Sequence, residues 1–525
     1  MKKIFAILVL VIMIFESTGS AFASTSTSEY TEQSAATSNQ FSLIDAGNYQ
    51  LFTNYVDGYS LNVDKNMNVD MRYSSVGTIL ESTNKRIEIY KQYIGSVGKS
   101  GYINYSNKFL NNTDDHVLEY NGVQRINGYD VNVVVWNRSK LSRVKNDKNY
   151  YICMDIVQGN YSYTIFMKAT EPISNIGGYT YLVENFKTFS PTVPAYMRKA
   201  QKVDVEERGW NDETKEFYQK YFSDEAELTW GIFEPDTAGF DYTMMDFYEN
   251  YYEYKFPILL NYSEFDNTYK HPNLKQRLDT AYEHGKALEL TLQTTWQQGG
   301  NMVYDILDGQ YDAFLADYAQ VIADFGHPVL FRLGNEMNGD WCPYSSYNTS
   351  RDPVIYKEFY KYIYSFFEKA GAQNVIWIWN PNCDSFPNFN WNNEMMYYPG
   401  DKYVDIVGLT AYNTGTYYAS TGEKWQEFDE LYEGLYYEYC AKFEQPLMIT
   451  EFSSASMGGD KNQWVINMFN TIKNYDRIKV AVWWDGCDWD AQGNIARSYF
   501  MDETPQLLET FKRYLRGPWE KDVYA

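Results

Sequence analysis

The sequence predicts an α/β protein in which a (β/α)8 TIM barrel over residues 213–525 follows a small α+β domain over 41–195. Two textures carry that prediction. From about Glu213 onward, apolar strand-like runs alternate with amphipathic helical runs at the spacing of βα units. Before Pro194 the pattern is instead short alternating runs broken by Asn-Gly and Gly-Gly turns. The chain of 525 residues is long enough for both, since a barrel of this kind needs roughly 250.

At the amino terminus, Met1-Lys2-Lys3 precedes an apolar stretch from Ile4 to Phe15 and small residues ending in Ala21-Phe22-Ala23. A charged start, an apolar run about half of what a bilayer needs and a small-residue cleavage site mark 1–23 as a secretory signal peptide. A secreted, extracellular protein is expected. No later window reaches about 18 apolar residues, so no membrane span is expected. Residues 24–40 are rich in Ser and Thr and read as a flexible linker.

In the domain over 41–195, Val131 to Trp136 and Tyr161 to Met167 read as strands of an antiparallel sheet. Turns fall at Asn121-Gly122, Asn127-Gly128 and Gly177-Gly178, and helices are expected over Glu81 to Ile94 and Tyr179 to Phe189. Its aromatic residues, among them Tyr73, Tyr90, Tyr93, Tyr102, Tyr105 and Trp136, suit either a carbohydrate-binding face or a sheet core. Pro191 and Pro194 close the domain, and the charged segment 196–212 reads as a connector.

The eight barrel strands are expected at Leu228 to Phe233, Phe256 to Asn261, Ala287 to Thr294, Pro328 to Leu333, Val375 to Trp379, Val404 to Leu409, Pro446 to Thr450 and Ile478 to Trp484. Helical periodicity is clearest over Leu274 to His284, Tyr311 to Phe325, Val354 to Ala370, Lys424 to Cys440, Gln463 to Asn474 and Gln506 to Leu515.

Composition narrows the chemistry. A formal charge of −24 repels nucleic acid and anionic membranes, so neither is an expected partner. The five cysteines lack zinc-finger spacing and make one disulfide possible; the four histidines form no His-Glu-x-x-His frame. No phosphate-binding glycine loop occurs, so neither metal nor cofactor is implied. The 51 tyrosines, 30 phenylalanines and 14 tryptophans include flat rings of the kind that stack on sugars. Oligomeric state is left open.

Chemistry must therefore rest on carboxylates, and in a barrel the positions to interrogate are those just after the strands. Gly334-Asn335-Glu336-Met337-Asn338-Gly339-Asp340-Trp341 follows the fourth strand, and Glu451-Phe452-Ser453-Ser454 the seventh. Strands four and seven face each other across a barrel, which would bring Glu336 and Glu451 together. Paired carboxyls about 5 to 5.5 Å apart are what a retaining glycosidase uses. Glu336 would be the protonated acid/base, raised by burial and by its neighbour's charge, and Glu451 the ionised nucleophile. Tyr412, at the end of strand six, is the expected hydrogen-bond donor to Glu451, and Asn335 the expected partner of a sugar hydroxyl.

The segment from Tyr311-Asp312 through Gly326-His327-Pro328-Val329-Leu330-Phe331-Arg332 to Trp341 resembles glycoside hydrolase family 26, of the large clan of (β/α)8 retaining hydrolases. So do Val375 to Asn382, Tyr398 to Asp401, Val404 to Leu409, Ile449 to Phe452 and Val482 to Asp485, in the family's order, over roughly Trp230 to Leu515. The resemblance implies a polysaccharide-hydrolysing β-glycanase, most often an endo-β-1,4-mannanase, with mixed-linkage β-glucanases and xylan-active members in the minority. It places the acid/base on Glu336, the nucleophile on Glu451, the supporting tyrosine on Tyr412 and subsite tryptophans on Trp341 and on Trp483 or Trp484. Two departures bear on mannan specificity. Asn335 stands where the family usually has His, as in the wider clan, and Thr410 stands at a position often acidic in mannanases.

Arg332 is expected either under the sugar site or as the partner of a buried carboxylate. Among the tryptophans at strand ends, Trp296 is expected to be a sugar platform and Trp377 core. Asp485 and Asp488, after strand eight, are expected to cap the next helix or else to bind substrate, and His327 reads as structural. A barrel that binds glycan without cleaving it is the competing reading. The joint presence of Glu336, Glu451 and Tyr412 opposes it, because two facing carboxylates are costly to keep without a use.

Overall fold

The computed structural model describes residues 39–202, 207–265 and 272–516. The expected leader at 1–23 and nearly all of the linker over 24–40 lie outside the described residues.

Eight parallel strands close into a barrel: Thr229–Phe233, Ile258–Glu264, Ala287–Gln293, Val329–Leu333, Val375–Trp379, Ile406–Thr410, Leu447–Phe452 and Ile478–Trp484. Every expected strand is found, with ends shifted by three residues at most. The helices follow suit, including Asp312–Phe325, which closes on Gly326 at φ 75°, and Pro353–Ala370, capped by the Asp352 side chain. The crossover from strand five to strand six departs from the βα rule. It uses the short 3-10 turns Asn390–Asn392, Glu394–Tyr397 and Asp401–Tyr403 in place of an α-helix.

The 196–212 connector is not a free tether. Trp210 donates its indole N–H to the Val375 carbonyl at 2.8 Å, and the helix Asp212–Phe222 inserts Tyr218 and Phe222 among the inward-facing Ile258, Leu330, Ile376 and Val480. The helix packs against strands five and eight and contributes to the barrel's inner core.

The preceding domain holds two antiparallel sheets, one of four strands and one of seven. The expected strands are there, within Tyr129–Arg138 and Tyr161–Ala169. The helix expected over Glu81 to Ile94 is instead the strand Lys85–Tyr93, paired on both sides, because Ile87 and Ile89 alternate with Glu88 and Tyr90 and both faces of the sheet are covered. The helix expected over Tyr179 to Phe189 shortens to Tyr181–Glu184 before the chain joins the smaller sheet at Lys187–Thr188. Tyr90, Tyr102 and Trp136 are fully buried, Trp136 stacked on Tyr151 at 5.2 Å, so these rings are core rather than a sugar-binding face. All five cysteines are separate thiols.

The two domains share a core. Val76, Ile79, Tyr90 and Tyr102 of the small domain pack with Phe389, Trp391 and Met396 of the helix-free crossover. Trp391 donates to the Ser106 hydroxyl at 3.1 Å, and Asn390 bonds the Gln92 side chain at 2.6 Å and the Lys91 carbonyl at 3.1 Å.

Candidate active site

Strand register decides which side chains enter the barrel. On strand three, Leu288, Leu290 and Leu292 pack outward under the helices, so Glu289, Thr291 and Gln293 face the lumen. The same alternation turns Arg332 inward on strand four and sends Trp377 and Trp379 outward on strand five. On strand seven the pairing shifts between Ile449 and Phe452, and this bulge re-aims the chain. Thr450 bonds the Thr410 hydroxyl at 3.1 Å, the next residue, Glu451, also reaches into the lumen, and Phe452 returns to the outer layer.

Glu451 accepts on Oε2 from Arg332 Nη2 at 2.8 Å and from the Tyr262 hydroxyl. Arg332 is fully buried and donates through Nε to Thr291 at 2.7 Å and through Nη1 to Asn380 at 3.1 Å. Its Nε also lies 3.3 Å from Glu289 Oε1. One guanidinium thus stands between two carboxyls, those of Glu451 and Glu289. Burial pushes Glu289 up to about 8 against the opposing Arg332 charge, with the negative charge of Glu451 adding to the rise.

Glu336 follows strand four in the left-handed region, at φ 55°, a conformation that a glutamate holds only when its surroundings dictate it. Its backbone N–H donates to the Asn380 carbonyl at 2.7 Å, and its Oε2 accepts the Trp341 indole N–H at 3.1 Å. Burial, reinforced by the charge of Glu451, pushes Glu336 up to about 8. One carboxyl therefore keeps its proton at neutral pH while the other faces a guanidinium, the division that separates an acid from a nucleophile.

Asn335 is buried and accepts the Tyr344 hydroxyl on its carbonyl at 2.7 Å and Gln293 Nε2 on its side-chain oxygen at 2.6 Å. Among the described residues its amide N–H groups are the part not engaged by these contacts. Tyr412 departs from expectation. The phenol bonded to Glu451 is Tyr262, from the inward end of strand two, while the Tyr412 ring lies against Tyr499 at 5.4 Å and edge-on to Trp484 at 6.4 Å. It remains near enough for the Glu451 charge to raise its pKa further, after burial has done so.

The tryptophans divide by parity. Trp483 is core: it faces the helices and donates to the Tyr499 carbonyl at 3.0 Å. Trp484 faces inward, stacked on Phe233 at 5.0 Å. Trp341 is 44% exposed beside Phe386, and Trp296, on the loop after strand three, is 64% exposed. Trp230 packs on Phe469. Asp485 accepts from Tyr248 and from the Met501 amide, Asp488 pairs with Arg497, and His327 bonds Glu213, all structural contacts. Thr410 spends its hydroxyl on Asn380 and Thr450.

Tyr262, Glu289, Thr291, Gln293 and Asn380 are not among the residues singled out from the sequence; the first four lie within strands, and Asn380 directly follows strand five. For three of them the signal was present: Leu288-Glu289-Leu290-Thr291-Leu292-Gln293 alternates strictly and marks a polar inner face.

Residues 289–480 match the model for glycosyl hydrolase family 26. The match runs from the third barrel strand to the eighth. Curated relatives of this chain include Endoglucanase H of Acetivibrio thermocellus, 34% identical over 237 residues, which cover 45% of this chain and 25% of that protein. A mannan endo-1,4-beta-mannosidase of Bacillus subtilis strain 168 is 30% identical over 186 residues, covering 34% of this chain and 45% of that one. The chain thus spans from a quarter to under half of the length of these relatives. Among solved structures, a modular endo-beta-1,4-mannanase from Cellulomonas fimi aligns with a TM-score of 0.44 at 18% identity, covering 61% of this chain and 77% of that one.

Proposed function

We propose that this protein is a retaining endo-β-glycanase acting on β-1,4-mannan, with Glu336 as acid/base and Glu451 as nucleophile. The observation that carries the reading is the pair of carboxyls from strands four and seven, one held protonated by burial and the other opposed to Arg332. In the first step Glu451 attacks the anomeric carbon, the glycosidic C–O bond breaks, and the Glu336 proton passes to the leaving oxygen. In the second, Glu336 takes a proton from water, whose oxygen displaces Glu451 from the sugar. Arg332 and Tyr262 both hold Oε2 of Glu451, which leaves Oε1 to attack. Internal cleavage is supported by exposed rings on loops of different strands: Trp296 after strand three, Trp341 after strand four and Trp489 after strand eight.

A mixed-linkage β-glucan, or another β-glycan, is the second reading. It is favoured by the match to an endoglucanase and by Asn335 and Thr410, whose side chains are tied into the barrel wall. Reducing-sugar release from mannan, galactomannan, mixed-linkage glucan, β-1,3-glucan and xylan, with Glu451→Ala as the blank, decides between them. Release from mannans supports the first reading, release from a glucan the second. No release from any would point to a different β-glycan or to a barrel that binds glycan without cleaving it. Export is part of the proposal, on the strength of the leader-like 1–23, and the same protein recovered from culture medium should begin near Ser24.

Because Glu336 must carry a proton to act as acid, kcat/KM is expected to fall as pH rises through about 8. A pH profile of the full-length protein checks this. An alkaline limb near pH 5, the range of an ordinary glutamate, would remove Glu336 from the acid role.

A further inference from the structure

The loop after strand four leans on the small domain from Asp340 to Asp352. Arg351, fully buried at φ 56°, donates to the Tyr102 hydroxyl at 3.0 Å and to the Cys153 sulfur at 3.1 Å. Asp352 accepts Lys168 at 2.6 Å, and Ser350 meets His116 at 2.9 Å. Nearest the carboxyls, the Tyr105 hydroxyl donates to Asp340 Oδ2, and the Tyr105 ring lies 5.0 Å from Tyr347.

Asp340 sits between Trp341 and the buried Gly339. A Cβ on Gly339 would stand 2.4 Å from the Trp341 ring, so the indole is folded back over the Gly339 backbone, and from there its N–H reaches Glu336. The Gly339 amide closes the same turn on the Glu336 carbonyl at 2.8 Å. Anchoring the Asp340 side chain therefore fixes where the indole begins, and the indole fixes the orientation of the Glu336 carboxyl.

We propose that Tyr105, from the small domain, is a positioning residue for Glu336, acting through Asp340 and Trp341. The small domain is then part of the catalytic apparatus rather than an appended module. This inference rests on the reading of Glu336 as the acid/base.

The test compares two leaving groups in the full-length protein. Dinitrophenolate departs from a sugar without a donated proton, whereas a sugar alkoxide needs one. Tyr105→Phe keeps the ring contacts with Tyr347 and Phe389 and removes only the hydroxyl. It should lower kcat/KM on the polysaccharide by about tenfold while leaving that on a 2,4-dinitrophenyl β-oligosaccharide of the same sugar within about twofold. Asp340→Asn should show the same selectivity, and the double variant should be no worse than either single one, as expected for one chain of contacts. Equal losses on both substrates, at an unchanged thermal midpoint, would make Tyr105 merely structural and overturn the proposal, as would no loss on either. Wild-type protein inactive on both substrates would overturn the reading of Glu336 as well, so the two failures are distinct.

Discussion

Replacing Glu451 by alanine should lower turnover by roughly 10⁴-fold or more while moving the thermal midpoint little. The kinetic half follows from removing the nucleophile: no covalent intermediate forms, and what remains is binding and the acid. The stability half is less obvious, because Glu451 is ion-paired to a fully buried arginine. Breaking such a pair ordinarily leaves a stranded charge at a cost of about 3–5 kcal/mol. Here Glu289 already lies 3.3 Å from Arg332 and is held protonated in part by the charge of Glu451. With Glu451 gone, Glu289 can ionise and take over as counterion, while Thr291 and Asn380 keep the guanidinium in place. Calorimetry together with single-turnover kinetics checks both halves. A variant retaining wild-type turnover would remove Glu451 from the nucleophile role, and a collapsed midpoint would mean that Glu289 does not substitute.

Arg332→Met breaks the same pair from the other side and should be far more damaging. No second cation stands ready among the contacts that hold Glu451, which would keep Tyr262 alone. Leaving a buried carboxylate uncompensated should cost about 3–5 kcal/mol and lower the thermal midpoint by on the order of 10 °C. Activity should fall by at least about 100-fold, since a Glu451 that recovers its proton cannot attack. Urea unfolding and kcat/KM on the preferred polysaccharide measure the two effects. A stable, active Arg332→Met protein would show that Tyr262 suffices to hold the nucleophile.

Most of the barrel was legible because its strands are apolar runs separated by periodic helices, a pattern that survives without knowledge of the fold. Glu336 and Glu451 stood out because each comes within three residues of the end of such a run. The inner wall was harder to read, since a tyrosine such as Tyr262 at a strand end looks like core until pairing shows which way it faces. Trp483 and Trp484 make the same point: adjacent residues of one type take opposite sides, and only register tells which. The Glu451 bulge breaks the alternation that would have predicted its direction. In the small domain, the charged residues between Glu81 and Ile94 mimic the solvated face of a helix, whereas Glu88 is buried between Arg86 and Lys168.

The absence of an α-helix between strands five and six bears on how the protein can be taken apart. In most barrels the outer ring is self-sufficient, and an attached domain can be cut away like a cassette. Here the gap is covered by the seven-stranded sheet, against which Trp391 and Phe389 are buried and to which Arg351 gives its charge. Excising residues 41–195 would leave a hydrophobic wound and an orphaned cation beside the catalytic loop. For anyone assembling chimeric enzymes, the smallest transferable unit is both domains together.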